Sequence, residues 1–208
     1  MPPVRLEGPR IFLRPPHYDD SATWIALREK NQDHLKPFEP LWPEDALTPE
    51  HFERRLARQA ADWKINRSRS FLIFRRADDS MIGGMNINNI ALGASQFGSL
   101  GYWLAADQQG HGYMQEALQL TAHYAFTEIN LHRLNAGCVT HNARSRNLLL
   151  RAGFREEGYA EKYIEINGKW EDHILFGLPV ENWLATIEAA LRRAQPLQTT
   201  SPDQNPGI

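Results

Sequence analysis

Residues 103–120 read W-L-A-A-D-Q-Q-G-H-G-Y-M-Q-E-A-L-Q-L, a short apolar strand that runs through a glycine-bearing turn into an amphipathic helix. Gly110 and Gly112 lack a Cβ, so the turn can adopt positive φ and point successive backbone N–H groups at one spot. The first free N–H groups of the helix and the positive end of its dipole add to that spot. The segment predicts a cradle for a phosphate group; the alternative is that the glycines serve packing alone.

Two common phosphate-binding motifs are missing from this turn. The chain has no G-x-x-x-x-G-K-[ST] here, so it lacks the lysine and the hydroxyl that a nucleoside triphosphatase uses. It also lacks G-x-G-x-x-G, because position 115 is Gln where the dinucleotide fingerprint has glycine for close helix packing. The residues favour a diphosphate held by another fold.

A second informative segment follows some way along the chain. His141 to Phe154 read H-N-A-R-S-R-N-L-L-L-R-A-G-F, directly after the strand-like residues Arg133 to Thr140. The leucines form one apolar face of a short helix, and Gly153 is a natural left-handed terminator. Asn142 precedes this helix, and Ser145 lies one turn further on.

Together these segments resemble a known family. Q-G-H-G-Y, an amphipathic helix, a strand and then N-x-x-S-x-x-L-L-x-x-x-G-F-x-x-E-G are similar to the GNAT superfamily of acetyl-CoA-dependent N-acetyltransferases. The likeness extends over residues 4–178, through E-G-Y-A-E-K-Y, N-G-K-W-E-D-H and the early H-L-K-P-F-E-P. These features resemble the ribosomal-protein-alanine N-acetyltransferase branch, which acts on the fifth small-subunit protein.

The resemblance implies an α/β (α+β) fold, the GNAT fold. Its central sheet is mixed, mostly antiparallel and twisted, and helices flank it. Acetyl-CoA, as co-substrate, lies in a cleft between splayed strands.

Composition indicates the class of protein. The 208 residues suit one domain, which we assign to residues 1–194, and the polar, proline-bearing tail at 195–208 is expected to be disordered. The net charge of −2 argues against direct nucleic-acid binding. A single cysteine excludes an internal disulfide, and no apolar run is long enough for a membrane span or a signal peptide. We expect a soluble cytoplasmic protein.

Local patterns predict most of the elements. Thr48-Pro49-Glu50 opens a helix with a hydroxyl cap, and Asn167-Gly168 indicates a type I′ hairpin turn between residues 163–166 and 169–178. Prolines stiffen a loop at 37–43. The remaining predicted strands are 4–6, 11–14, 71–75, 81–90 and 97–105, and the remaining predicted helices are 20–30 and 181–193.

The family resemblance implies the contacts to acetyl-CoA. The pantetheine arm pairs with the strand end at Trp103 and Leu104, and Asn142 hydrogen-bonds the arm near the thioester, beside Ser145. Many relatives have Arg or Gln where this chain has Asp107, so we expect that carboxylate to face solvent and Gln108 and Gln109 to contribute the polar contacts instead. The diphosphate is expected on the backbone of Gln109, Gly110, His111, Gly112, Tyr113 and Met114.

In the implied reaction, an amine attacks the thioester and a thiolate departs. Ser145 is the candidate donor to that thiolate, directly or through a water; the alternative is that Ser145 only caps its helix. An α-amino group is roughly one-third neutral at pH 7.5, against about 0.1% for lysine, so a weak base suffices. Our candidate base is Glu165; the glutamate of a related enzyme aligns best with Ile164. Asp172 and His173 are second candidates, each more easily explained as structural.

Other residues have simpler interpretations. Cys138 lies within a strand and is expected to be a buried, inert thiol. The eight histidines have no metal-binding spacing, so we expect no metal. Glu116 is expected to compensate the helix dipole. A group of acidic residues near the acceptor is either merely solvated or attracts a basic peptide tail: Glu39, Glu44, Glu156, Glu157, Glu161 and Glu165.

The sequence therefore predicts an enzyme that acetylates the N-terminal alanine of a small-subunit ribosomal protein. Its partner is the tail of that protein, on the ribosome or on an assembly intermediate. Two alternatives are a small-molecule amine as acceptor, such as a polyamine, aminoglycoside or amino acid, and a CoA-binding ribosome-assembly factor.

Overall fold

The computed structural model describes the backbone of residues 4–194 and side chains through residue 188; the predicted tail at 195–208 lies outside the described residues. One sheet of eight strands has the order β1-β2-β3-β4-β5-β6-β8-β7. The strands are β1 Leu6–Glu7, β2 Ile11–Arg14, β3 Arg69–Arg75, β4 Ser80–Ala91, β5 Phe97–Leu104, β6 Arg133–Val139, β7 Arg155–Ile166 and β8 Lys169–Pro179. The helices are α1 Ser21–Lys30, α2 Gln32–Leu35, α3 Pro49–Lys64, α4 Tyr113–Thr127, α5 Ala143–Arg151 and α6 Val180–Ala194.

The sheet separates two apolar layers, because successive side chains of a strand point to opposite faces. On one face, Ile11 and Leu13 of β2 join a core cluster with the buried stripe of α4 and with Leu149 of α5. On the other, Phe12 joins a second cluster with Trp24 of α1 and residues of α3. The predicted mixed, mostly antiparallel sheet flanked by helices is confirmed.

Local signals set several element ends as predicted. Thr48 Oγ accepts a hydrogen bond from His51 N at 3.1 Å, and Pro49 is the first residue of α3. Asn167 and Gly168 have φ of 46° and 79°, which confirms the left-handed hairpin turn. Gly153 ends α5 with φ of 93°, and a Cβ there would lie 2.9 Å from Thr186 Oγ1.

The predicted strand before the hairpin turn was too short. It begins at Arg155 rather than Tyr163. Its register to β8 shifts between Glu156 and Gly158 and again between Ala160 and Ile164. Such bulges disrupt the period-two alternation by which a strand is recognised.

Candidate active site

A cleft opens in the sheet between β5 and β6, the only parallel neighbours among the described strands. These strands pair only from Phe97 to Ser99 with Arg133 to Asn135. Beyond that point β5 continues to pair with β4, and β6 continues to pair with β8. Residues 100–104 of β5 and residues 136–139 of β6 therefore face each other across the cleft without pairing. Trp103 and Leu104, predicted to pair with a pantetheine arm, lie on this open edge.

One side of the cleft, here called the donor wall, consists of the turn 109–112 and the first turn of α4. Gly110 and Gly112 have φ of 80° and 79°, as the predicted turn requires. Within the described part of the chain, no acceptor meets the backbone N–H groups of residues 110–115. The turn therefore presents a row of free donors at a helix N-terminus, an arrangement that binds anions.

Glu116 anchors this turn instead of only compensating the dipole. Its buried carboxylate accepts hydrogen bonds from Arg10 N at 2.9 Å, Ile11 N at 3.1 Å and Arg10 Nε at 2.8 Å. Arg10 in turn donates to the carbonyl of His111 at 2.8 Å. The expected dipole compensation fits the place of Glu116 in the first turn of α4, and the side chain is in addition the acceptor for the backbone N–H groups of Arg10 and Ile11.

The side chains of residues 107–109 are held by contacts with α1, α2, β3 and α5. Lys30 Nζ donates to Asp107 at 2.9 Å and lowers the pKa of that carboxyl, which is exposed as expected. Gln109 bridges two elements, with Nε2 2.7 Å from His34 Nε2 and Oε1 accepting from Arg144 Nη1 at 2.5 Å. Arg75 Nη1 donates to Gln108 Oε1 at 3.1 Å.

Asn142 and Ser145 lie at the start of α5. Asn142 Oδ1 accepts from Ser145 N at 3.0 Å, so Asn142 is the helix cap. The alternative role for Ser145 as the cap is therefore wrong. The Ser145 hydroxyl instead hydrogen-bonds the hydroxyl of Tyr102, with 2.8 Å between the oxygens. No sequence pattern predicts the contact of Tyr102 with Ser145, since no short-range signal links residues 43 positions apart.

Cys138 lies on β6 and is 5% exposed. Burial raises the pKa of its thiol, an effect partly opposed by a hydrogen bond with Ser145. The thiol is therefore protonated near neutral pH and is a poor nucleophile. This confirms the expectation of a buried thiol.

A second side of the cleft, here called the acceptor wall, consists of residues 36–42, Arg28 of α1 packed against them, and the β7–β8 hairpin. The Phe38 ring lies 5.9 Å from the ring of His141, at the end of β6. The carbonyl of Glu39 accepts from Asn167 N at 2.9 Å, which ties this loop to the hairpin turn.

Arg28 is central to the acceptor wall. Its guanidinium carbon lies 5.1, 4.2 and 5.2 Å from the ring centroids of three tryptophans, and it forms an ion pair with Glu39. Glu39 also accepts from Trp42 Nε1 at 2.8 Å. The three tryptophans are Trp24, Trp42 and Trp103.

Half of the predicted acidic group is thus neutralised by its neighbours. Glu39 pairs with Arg28, Glu156 with Arg146 and Glu157 with Arg133. For these three, the fold brings an arginine to each, so they have less charge to offer a basic peptide tail. Glu44, Glu161 and Glu165 are exposed and form no ion pair with the described residues.

The candidate bases lie on the hairpin. Glu165 is exposed and pairs in register with Trp170, whereas Ile164 lies opposite Glu171. Residues opposite each other share a face, so Glu171 projects from the same face as position 164. Asp172 accepts from the Tyr159 hydroxyl and from Lys162 N, and His173 is 3% exposed with Nδ1 2.9 Å from the Glu171 carbonyl.

Across residues 4–188, no three His, Cys, Asp or Glu side chains are grouped as metal ligands. Among the described helices, none is long and apolar enough to cross a bilayer.

A cleft between splayed strands, lined by free N–H donors on one side, defines a CoA-dependent acyltransferase. Residues 10–155 match the family described as "Acetyltransferase (GNAT) domain", and the chain belongs to this family. The predicted resemblance and fold are confirmed. The protein is an acetyltransferase whose acetyl donor is acetyl-CoA.

Individual relatives agree with this assignment. The chain is 36% identical over 81% of its length to "Probable N-acetyltransferase YjcK" of Bacillus subtilis, covering 93% of that protein. It is 34% identical over 88% of its length to "[Ribosomal protein uS5]-alanine N-acetyltransferase" of Escherichia coli, covering 94% of that protein. The structure of Mycobacterium smegmatis RimJ in complex with CoA-disulfide is 30% identical, with a TM-score of 0.82 over 90% of this chain and 95% of that chain.

Proposed function

We propose that the protein transfers acetyl from acetyl-CoA directly to the N-terminal alanine amine of a small-subunit ribosomal protein. The observation that carries the proposal is the open acceptor wall. From Arg155 to Glu165 every residue of β7 except Ala160 is exposed, so an extended peptide has room beside the cleft. The similarity to the E. coli enzyme named for uS5 supports the choice of acceptor.

The donor wall would hold the diphosphate of acetyl-CoA on the N–H groups of residues 110–114. The backbone N–H of Gln109, expected to join them, instead donates to the Ala106 carbonyl at 3.3 Å. The open edge at Trp103 and Leu104 offers backbone groups to the pantetheine arm, as an added strand would. Asn142 Oδ1 already accepts the capping hydrogen bond from Ser145 N, so the Nδ2 group of Asn142 would be the donor to the arm. These contacts would place the thioester near Ser145.

Transfer then needs three contributions from the protein. Holding amine and thioester together supplies much of the rate, since effective molarities reach ~10⁵ M or more. Ser145 donates a hydrogen bond to the departing thiolate. Glu165 holds the water that removes the amine proton, a light task because an α-amine is partly neutral at pH 7.5. The buried thiol of Cys138 supports direct transfer without an acetyl-cysteine intermediate.

A panel of acceptors tests the proposal. The protein is mixed with acetyl-CoA and, separately, a basic Ala-starting peptide, the same peptide with a blocked N-terminus, spermidine or an aminoglycoside. Mass spectrometry should show one acetyl adduct on the free Ala-starting peptide and none on its blocked control. Acetylation of spermidine or the drug with an untouched peptide would contradict the ribosomal acceptor and favour a small-molecule amine.

A second experiment distinguishes an enzyme from a CoA-binding assembly factor. Ser145→Ala removes the proposed donor, and Asn142→Asp keeps an oxygen for the helix cap while removing the amide donor. Both variants should abolish acetylation of the peptide in vitro and of the ribosomal protein in cells. Ribosome maturation that depends on the protein yet survives both changes would indicate an assembly role.

A further inference from the structure

Tyr102 lies at a distinctive place in the cleft. It is on β5, beyond the last residue that pairs with β6, and next to Trp103 on the open edge. Its ring packs at the border of the core cluster that contains α4, while its hydroxyl reaches Ser145 on α5. The side chain thus connects the strand expected to bind pantetheine to the residue expected to meet the thioester sulfur.

We propose that Tyr102 is a positioning residue for acetyl transfer. Its hydroxyl donates to Ser145 Oγ and thereby turns the hydrogen of Ser145 toward the departing sulfur. The inference rests on the proposed role of Ser145 and extends it to Tyr102, on the strand before the phosphate-binding turn.

The chemistry of the two hydroxyls supports this direction of donation. A phenol, with an ordinary pKa of about 10, is the stronger acid and therefore the better donor, whereas the serine oxygen is the better acceptor. Ser145 N is already bound to the Asn142 cap, which fixes the backbone from which the hydroxyl projects. With one lone pair of Oγ taken by Tyr102, the serine hydrogen does not face the phenol. The Cys138 thiol, which also hydrogen-bonds Ser145, is a weak acceptor that a departing thiolate displaces.

Tyr102 acts without losing its own proton. Burial raises the pKa of its hydroxyl well above the ordinary value, although the hydrogen bond with Ser145 opposes this. When the C–S bond breaks, its electron pair stays on sulfur, which Ser145 stabilises by a hydrogen bond. The proton that the amine nitrogen releases through water is the one that the thiol product finally carries, so neither hydroxyl changes its protonation state.

The variants for the test are Tyr102→Phe, Ser145→Ala and the double variant. Tyr124→Phe is the matched control, since it also removes a phenol oxygen. Tyr124 lies on α4, and its ring centroid is 5.5 Å from that of Phe71 in the core. For each variant, kcat with the Ala-starting peptide, the dissociation constant for acetyl-CoA, and the acceptor-free release of CoA thiol from acetyl-CoA are measured.

We expect Tyr102→Phe to lower kcat roughly tenfold, less than the loss of a whole donor to a developing charge. Its affinity for acetyl-CoA should match the wild type. The double variant should be no slower than Ser145→Ala, because a residue that acts through another adds nothing once its partner is gone. Tyr124→Phe should retain wild-type kcat.

Three results of the kcat and binding measurements would overturn the inference: wild-type kcat in Tyr102→Phe, multiplicative losses in the double variant, or a loss in Tyr102→Phe that is confined to acetyl-CoA binding. The acceptor-free release separates this inference from the choice of acceptor. If no peptide is acetylated but thiol release shows the same non-additive pattern, the acceptor was wrong and the role of Tyr102 stands. Thiol release that is insensitive to Tyr102→Phe, with Ser145→Ala slowing it, would also overturn it.

Discussion

The donor wall and the acceptor wall of the cleft are built from different groups. The donor wall offers backbone N–H groups that meet no acceptor in the described chain, held by two left-handed glycines. In the acceptor wall, charged side chains satisfy one another, as Arg28 and Glu39 do. Anion binding by backbone N–H groups depends on the local conformation of one turn. Ion pairs between side chains depend on which distant residues the fold brings together.

The largest expected effect concerns the acceptor wall. Arg28→Met should lower the free energy of unfolding by about 3 kcal/mol, because it leaves the Glu39 carboxylate without its cation beside the tryptophans. The side chains of Arg28 and Glu39 are only 10% and 21% exposed. Urea denaturation measures the change.

Arg146→Met is the matched control for that experiment. The Arg146–Glu156 pair is 49% and 32% exposed, and such pairs contribute about 1 kcal/mol or less. Equal losses of unfolding free energy in the two variants would show that the Arg28–Glu39 pair stabilises the protein no more than an exposed ion pair does.

The next effect concerns the donor wall. Gly112→Ala should weaken acetyl-CoA binding about tenfold, because a side chain disfavours the left-handed conformation by roughly 1–2 kcal/mol. A Cβ there would also lie 3.2 Å from Arg10 Nη2. Calorimetric titration with acetyl-CoA measures this. Gly93→Ala, at φ of 81° in open space, should bear the same backbone strain but bind normally.

The sequence predicted the donor wall and most elements because their signals are local. Asn167-Gly168 and Thr48-Pro49 each specify a turn or a cap within a few residues. The sequence could not predict the contact of Tyr102 with Ser145 or of Glu116 with Arg10, since these partners are 43 and 106 residues apart. It also could not assign arginines to particular glutamates.

A smaller effect is expected on the hairpin. Glu165→Gln should lower kcat for the Ala-starting peptide several-fold at pH 7, where a base still assists the amine. Glu128→Gln, a change in an exposed carboxylate at the end of α4, serves as the control. The pH dependence of kcat provides the measurement. If Glu171→Gln slows the reaction and Glu165→Gln does not, the base lies on β8 instead.

The smallest expected effect concerns Asp172, whose carboxylate stabilises the β7–β8 hairpin of the acceptor wall. The Tyr159 hydroxyl and Lys162 N lower the pKa of Asp172 below its ordinary value of 3.8. Because the folded pKa is depressed, the stabilisation is present above pH 3.8 and is lost as pH falls below it. Asp172→Asn should flatten the decline of stability with acid in this range, as measured by urea denaturation at several pH values. An unchanged decline would show that Asp172 is not a stabilising partner.

The strand order has a consequence for how the chain reaches its folded state. Strands β1 to β5 each pair with the next strand in sequence, so their contacts form between nearby segments. Strand β6 instead pairs on its other side with β8, and β7 pairs with β8 at the edge of the sheet. During synthesis the first five strands can therefore pair before residues 169–179, which form β8, are available to pair with β6. Because contacts between distant segments form slowly, the cleft acquires its second side at the end of folding.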